Sequence, residues 1–409
     1  MAGMKKLRLG LLGAGRRGKA HLSAITGLSD LFDLVAICDL NEANARGCVA
    51  GSGAEAYADV RKFFSRGNLD VVDIVTPAES HHLMALVAAE HGVSMVIETP
   101  LAPTRAMMDF IGEAAAKAGV AVEVAENYRR KPEIQLNRKA LEAGVIGKIL
   151  RLTSFYEPIG QQGCYHSMAT FRFYAGAEVE AVSGFAWRSA VEPSVGYGTE
   201  YNEESRTQAS LFFANGVVGS CAYLSSWLSP VRRGHPHFMS VEGSAGFLVS
   251  GRNMANTIHR LENGAQAVYP MRVSAGQEDR PNIPARFYYQ TNPVVEYRNP
   301  FADRPLNYAD EWGASDIIAI ADALASIHSA VAAKFAPAYG IAQARRDQEL
   351  SIAIGHSASL DGAPVRLPLK EETPWERAQH EKFRTRWGGD PFKDVEKLTA
   401  QNFSGKSPG

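Results

Sequence analysis

The chain has 409 residues, more than one ordinary hydrophobic core serves, so two domains are expected. Hydrophobic residues make up 45% and charged residues 21%, with a formal net charge of −1, a balance ordinary for a globular enzyme. It leaves no global field for nucleic acid or a membrane surface, so neither is expected as a partner. The sequence reads as lacking any apolar run near the roughly 18 residues a membrane span needs, and the expected location is cytoplasmic. The four cysteines (Cys38, Cys48, Cys164, Cys221) are scattered without a C-x-x-C pair, and the histidines form no H-E-x-x-H pattern. Neither a disulfide framework nor a metal site is expected from that spacing.

The first third alternates short apolar runs with helical patterns. Strands are expected at 7–13, 32–39, 72–77, 94–100 and 120–127, with helices at 16–28, 41–50, 80–92 and 104–118. That alternation predicts an α/β Rossmann domain over residues 1–127, a doubly wound parallel sheet that binds ligands at the carboxyl ends of its strands. Beyond residue 128 the pattern changes. A helix at 133–144 ends at Gly144, and alternating segments follow at 149–156, 179–189, 207–216, 217–228 and 237–250. The Ala214-Asn215-Gly216 stretch between two of them is a hairpin signal. Residues 128–369 therefore predict an α+β domain with a large, mostly antiparallel open sheet, closed by helices at 315–334 and 341–358. Residues 370–409, rich in charge, Gly and Pro, read as a C-terminal surface arm or partner contact.

Gly13-Ala14-Gly15-Arg16-Arg17-Gly18 lies between the first strand and the first helix. Glycines there permit a tight turn and close backbone approach to a pyrophosphate, which the helix N-terminus attracts. Asp39 ends the second strand, where its carboxylate can accept from both ribose hydroxyls. Leu40 and Asn41 follow it with no arginine to meet a 2′-phosphate, which favours NAD over NADP.

These residues together resemble the Gfo/Idh/MocA oxidoreductases, over about residues 5–370. "DIVTPAESHH" is similar to the family's strand-four motif, which implies that Thr76 and Pro77 lie beside the cofactor and that His81 opens the next helix. "VIETPLAPT" stands at the family's E-K-P motif, with Glu98 in place and Thr99 where the lysine would be. "AENYRRKPEI" resembles the segment entering the second domain, and "YHSMATFRFYAG" the family's histidine helix. Family dehydrogenases use that lysine with an aspartate and a histidine of the later helix. Here the histidine position is His166, and Ala169 stands three residues on.

Loss of the lysine is shared with the NAD-dependent glycosidase relatives, which carry an acid-Asn pair matched by Glu126-Asn127, a tyrosine matched by Tyr156 and a histidine matched by His166. The leading expectation is therefore a redox-neutral glycosidase working by transient C3 oxidation, elimination, water addition and re-reduction. The alternative is a sugar or polyol dehydrogenase with net hydride transfer. Under the first, the resemblance implies His166 as base for the C3 hydroxyl, Tyr156 as the C2 base or its relay, and Glu126 as the group that orients hydroxyls or assists departure of the aglycone. Tyr128 and Tyr165 are further candidates, and Asn127 joins the cofactor set. Each has a bland counterpart: a packed histidine, a core tyrosine, a Glu126 that caps or pairs with a neighbouring arginine.

Basic residues gather in segments expected to border the substrate: Arg130, Lys131, Arg188, and Arg232, Arg233 and His235 in "SPVRRGHPH". A guanidinium fork suits a carboxylate or sulfonate, although a solvated charged loop reads the same way. The family resemblance also implies a homodimer or homotetramer.

Overall fold

The computed structural model describes residues 5–155, 164–196, 199–224, 237–252, 254–276, 282–309 and 313–399. Two compact units divide them. The first comprises residues 5–131, 300–345 and 376–399, and the second residues 132–299 and 346–375.

The first unit opens with β1 (Leu7–Leu12), α1 (Arg16–Gly27), β2 (Phe32–Cys38), α2 (Glu42–Val49), β3 (Glu55–Tyr57) and α3 (Val60–Gly67). It continues through β4 (Val71–Ile74), α4 (His81–Glu90), β5 (Ser94–Glu98), α5 (Arg105–Ala118) and β6 (Val122–Ala125). Its six strands lie in the order β3-β2-β1-β4-β5-β6, with parallel pairings throughout. The central strands are buried on both faces, as expected for a sheet covered by crossover helices. Alternate residues feed two cores. Leu9, Leu11, Val71 and Val96 join one cluster, and Leu12, Val72, Ile74, Met95 and Ile97 the other. Chain order reverses between β1 and β4, the crevice where such sheets take ligands.

The second unit carries α6 (Pro132–Glu142), β7 (Ile149–Phe155), α7 (Tyr165–Ala175), β8 (Val179–Gly196), β9 (Thr199–Phe213), β10 (Val218–Leu224), β11 (His237–Gly243), β12 (Gly246–Arg252), β13 (Met254–Glu262) and β14 (Ala265–Pro270). A small antiparallel sheet of β15 (Arg272–Ala275), β16 (Pro284–Tyr289) and β17 (Val295–Arg298) follows. Later elements of the chain are α8 (Ala314–Ala333), α9 (Ile341–Ala358), β18 (Val365–Arg366), α10 (Pro374–Trp387) and α11 (Val395–Thr399). Among the described residues the large sheet has the order β14-β13-β12-β11-β7-β10-β9-β8-β18, antiparallel except between β7 and β10. Helices α6, α7 and α9 supply its core partners, among them Leu136, Phe171 and Ile354.

The structure corrects three expectations. Residues 300–345, read as part of the second domain, belong to the first unit, where Ile317, Ile320, Leu324 and Ile327 of α8 enter the core beside α1. That helix is also long and apolar enough to cross a membrane by length and composition, contrary to the sequence reading, and most of it is buried inside the unit. The third correction concerns the C-terminal arm. Glu376, His380, Phe383 and Trp387 recur at four-, three- and four-residue steps and are all buried, so α10 presents one face to the first unit's core. The structure also adds strand that the sequence did not announce: β3, residues 190–196 and 199–206, which extend β8 and β9, the strands described between 254 and 298, and β18.

Candidate functional site

At the turn between β1 and α1, two of the three glycines answer a steric need. Gly13 has φ +103°, and a Cβ there would meet the Val75 carbonyl oxygen at 2.5 Å. At Gly18 a Cβ would lie 2.0 Å from the Gly13 oxygen. Gly15 differs: nothing described lies within 4 Å of where its Cβ would be, and its φ of −71° suits any residue. Backbone strain does not require glycine at that position. The position is exposed, and α1 begins there without a side-chain cap, so the backbone N–H groups of its first turn are open to an anionic group.

Asp39 closes the other side. Its Oδ2 accepts from Ala14 N–H at 2.8 Å and its Oδ1 from Asn41 N–H at 2.8 Å, while Asn41 itself caps α2. The Asn44 amide adds a longer contact to Oδ1 at 3.4 Å, and of the roughly four acceptor positions of a carboxylate one stays unused and a second is only weakly held, which leaves room for a ribose hydroxyl. The residues present therefore fit a dinucleotide with an unphosphorylated ribose.

Across the carboxyl edge, Glu98 is the hub of a network that sequence reasoning saw in part. Its Oε1 accepts from Arg17 Nε (2.5 Å) and faces His21 Nε2 (3.0 Å). Its Oε2 accepts from the Thr99 backbone N–H (2.7 Å) and hydroxyl (3.3 Å). Behind them, His21 Nδ1 meets Asp73 Oδ2 at 2.8 Å, and Asp316 takes both Arg17 and the Asn127 amide. Burial favours the neutral imidazole of His21, but Asp73 and Glu98 outweigh it and push its pKa up to about 9. Burial likewise opposes ionisation of Glu98, yet Arg17 and His21 hold it well below the usual carboxylate range. The cluster is a fixed array of alternating charge. His21, Asp73 and Asp316 escaped the sequence reading, although each left a trace. Arg17 and His21 share a helix face at i, i+4, Asp73 is the lone acid of β4, and Asp316 is one of two acids in the otherwise apolar α8.

Several expected roles change here. Arg17 and Asn127, expected at the cofactor, spend the contacts described on Glu98 and Asp316. His81 is fully buried, with Nε2 on the Thr76 carbonyl (2.8 Å) and Nδ1 on that of Pro100 (3.1 Å), so it braces two loops from behind. Burial lowers its pKa against the opposing pull of the two carbonyls. Thr76 and Pro77 sit at the β4 loop, where the Thr76 hydroxyl accepts from Ser80 (2.8 Å). Arg16 is exposed on the first turn of α1. Glu126 is buried and turns its carboxylate onto Tyr128 N–H (3.0 Å), the capping alternative. Arg130, expected to bind substrate, is buried in ion pairs with Glu123 and Asp322. The Lys131 ammonium rests 3.8 Å from the Tyr128 ring centroid.

In the second unit, His166 occupies the first turn of α7, half-buried, its ring 5.5 Å from that of Tyr165 in an edge arrangement. Tyr165, a candidate substrate contact, is 1% exposed. Ala169 is buried as well, so no acid stands one turn on from His166. Arg188, a candidate substrate ligand, is exposed on β8 and pairs with Glu203 of β9 at 3.0 Å, a cross-strand surface pair. Tyr156, Arg232, Arg233 and His235 lie outside the described residues.

Comparison with known proteins agrees with the first unit's geometry. Residues 7–126 match the model of the Gfo/Idh/MocA oxidoreductase family, NAD-binding Rossmann fold. D-apiose dehydrogenase of Paraburkholderia graminis is 35% identical over 145 residues, covering 35% of this chain and 38% of that protein. Levoglucosan dehydrogenase of Pseudarthrobacter phenanthrenivorans is 32% identical over 161 residues, or 37% and 41% of the two chains. Inositol 2-dehydrogenase 4 of Saccharopolyspora erythraea is 30% identical over 192 residues, or 44% and 57%. The chain thus matches between 38% and 57% of the length of these relatives. In fold it is similar to a levoglucosan dehydrogenase solved with NADH and L-sorbose, with TM-score 0.68 and 23% identity, covering 89% of this chain and 100% of that one. The WlbA dehydrogenase from Bordetella pertussis, solved with NADH and UDP-GlcNAcA, gives TM-score 0.62 at 21% identity, with 90% and 100% coverage.

Proposed function

We propose, from the premise that residues 7–126 are an NAD-binding Rossmann domain of the Gfo/Idh/MocA oxidoreductase family, that this protein is an NAD-dependent dehydrogenase of a sugar or polyol. The observation that carries the reading is the glycine turn between β1 and α1, where Gly13 and Gly18 have no room for a Cβ, the helix N-terminus is uncapped, and Asp39 binds the backbone of the turn. The apiose, levoglucosan and inositol dehydrogenases that share part of its sequence support the substrate class and favour net hydride transfer over the glycosidase expectation.

When bound, NAD supplies the acceptor for a hydride from a carbinol carbon. The chain must then take the hydroxyl proton. Thr99 has no suitable base, and Glu98 is held ionised with both oxygens occupied. The imidazole of His166 is assigned that role, with Tyr156 as its partner candidate. Asp39 selects the cofactor by accepting from ribose hydroxyls and repelling a 2′-phosphate. A homodimer or homotetramer is part of the same proposal, and sedimentation of the pure protein tests it.

A second reading, redox-neutral glycoside cleavage, is favoured by Thr99 at the lysine position. One assay separates the two. The protein is incubated with NAD and a panel of sugars, polyols and aryl glycosides, including anionic ones, while reduced nicotinamide and released aglycone are followed in one cuvette. Accumulating NADH supports the dehydrogenase. Aglycone release without NADH transfers the assignment to the glycosidase, and failure of both readouts removes the catalytic reading.

A further inference from the structure

The strongest feature that the reaction leaves unused is the C-terminal segment. Two loops frame the carboxyl edge of the first unit's sheet: residues 75–80 after β4 and 99–104 after β5. His81 ties them together through the carbonyls of Thr76 and Pro100. From the other side, residues 376–399 take hold of both. On the β4 loop, Trp387 Nε1 donates to Glu79 Oε2 (3.0 Å) and Arg386 pairs with the same carboxylate (3.3 Å). One residue past His81, His82 Nε2 meets the Pro391 carbonyl at 3.0 Å, its ring packed among Phe110, Phe383 and Phe392. On the β5 loop, His380 Nε2 meets the Thr104 hydroxyl at 2.8 Å, and Glu376 receives both the backbone and the guanidinium of Arg105.

Many of these contacts are buried. Glu376 is 1% and Arg105 6% exposed, and Trp387 (2%) and Leu398 (0%) lie in the same core as α4 and α5. A surface decoration would not bury an arginine–glutamate pair, since a pair taken out of water stays favourable only with tight geometry and further hydrogen bonds.

We propose that residues 376–399 act as an internal clamp that fixes the β4 and β5 loops, so that NAD affinity depends on contacts the C-terminal segment makes with Glu79, His82, Thr104 and Arg105. Glu79, Arg386 and Trp387 are positioning residues that act through the loop bearing Thr76 and Pro77. The inference rests on NAD binding by the first unit and not on the substrate or on net hydride transfer, so it stands or falls separately from the assigned activity.

Full-length Trp387→Phe, which keeps the aromatic bulk and loses the N–H donor, and Glu79→Gln are compared with wild type by calorimetric titration of NAD. Thermal unfolding is measured in parallel. The expected result is an NAD Kd raised about three- to tenfold in each variant, with the double variant no worse than the weaker single one, as members of one contact should behave. Arg345→Ala, which breaks an outlying pair with Asp109 on α5, should leave Kd unchanged. If Trp387→Phe fails to fold, Arg386→Met asks the same question from a partly exposed position. NAD Kd within twofold of wild type in the folded variants, even with a lowered Tm, would reduce the segment to a stabilising element and overturn the clamp.

Discussion

The turn after β1 and the loop after β5 lie at the same edge of one sheet and are built on opposite plans. The β1 turn is open where it matters, since Gly15 leaves space beside the backbone and Asp39 keeps an acceptor position unused. The β5 loop is closed upon itself, with both Glu98 oxygens engaged by Arg17, His21 and Thr99. Ligand recognition and structural pre-organisation have been separated. One region presents backbone to a guest, and the other supplies a rigid electrostatic floor. Substitutions in the first should cost affinity, and substitutions in the second should cost stability.

The largest expected effect follows from removing the hub. Glu98→Gln removes the carboxylate that Arg17 and protonated His21 share and leaves each with one buried partner, Asp316 and Asp73, at a cost of up to about 3–5 kcal/mol in urea unfolding. A loss below ~1 kcal/mol would contradict the closed plan. The next concerns pH. Because the folded pKa of His21 is raised to about 9 from an unfolded value near 6.5, its contribution is complete below the unfolded value. It is lost as pH rises through about 9, a change on the order of 3 kcal/mol between neutral and alkaline conditions. His21→Gln should remove that slope, and a wild-type profile as flat as the variant's would refute the assignment.

Smaller effects belong to the open region. Asp39→Asn removes a charged acceptor and should weaken NAD about ten- to hundredfold, with NADP weakened less, as competitive titration of both would show. Gly15→Ala should leave stability within ~0.5 kcal/mol, because its φ and the space at its Cβ both tolerate alanine. NAD affinity should nevertheless fall about tenfold. Unchanged affinity in that variant would mean that the pyrophosphate does not approach there.

This contrast also explains what could be read from the sequence. The glycine turn, Asp39 and the alternation of strands and helices are local, since their sterics are decided within a few residues or one strand–helix unit. The hub is not. Arg17 and Glu98 are 81 residues apart, and Arg17 and Asp316 are 299 apart. Nothing in the hexapeptide announces that its second arginine turns inward. The same distance hid α8 and α10 from their true unit. Their burial depends on a sheet that ends at Ala125, far earlier in the chain, and the charged residues of α10 masked a buried face made of Glu376, His380, Phe383 and Trp387. On the second unit the motif put His166 on a helix, and the structure sets it in the first turn of α7. The burial of Tyr165 and the ion pair of Arg188 came from packing and strand register that spacing does not encode.

The central claim is net oxidation of a sugar or polyol carbinol at the expense of NAD. Its most direct test is stoichiometry: with a turned-over substrate in hand, reduced nicotinamide and oxidised sugar are quantified together by NMR at partial conversion. The account expects equal amounts of both. Product formed while the nicotinamide remains oxidised would contradict it and establish a cofactor that is reset within each turnover.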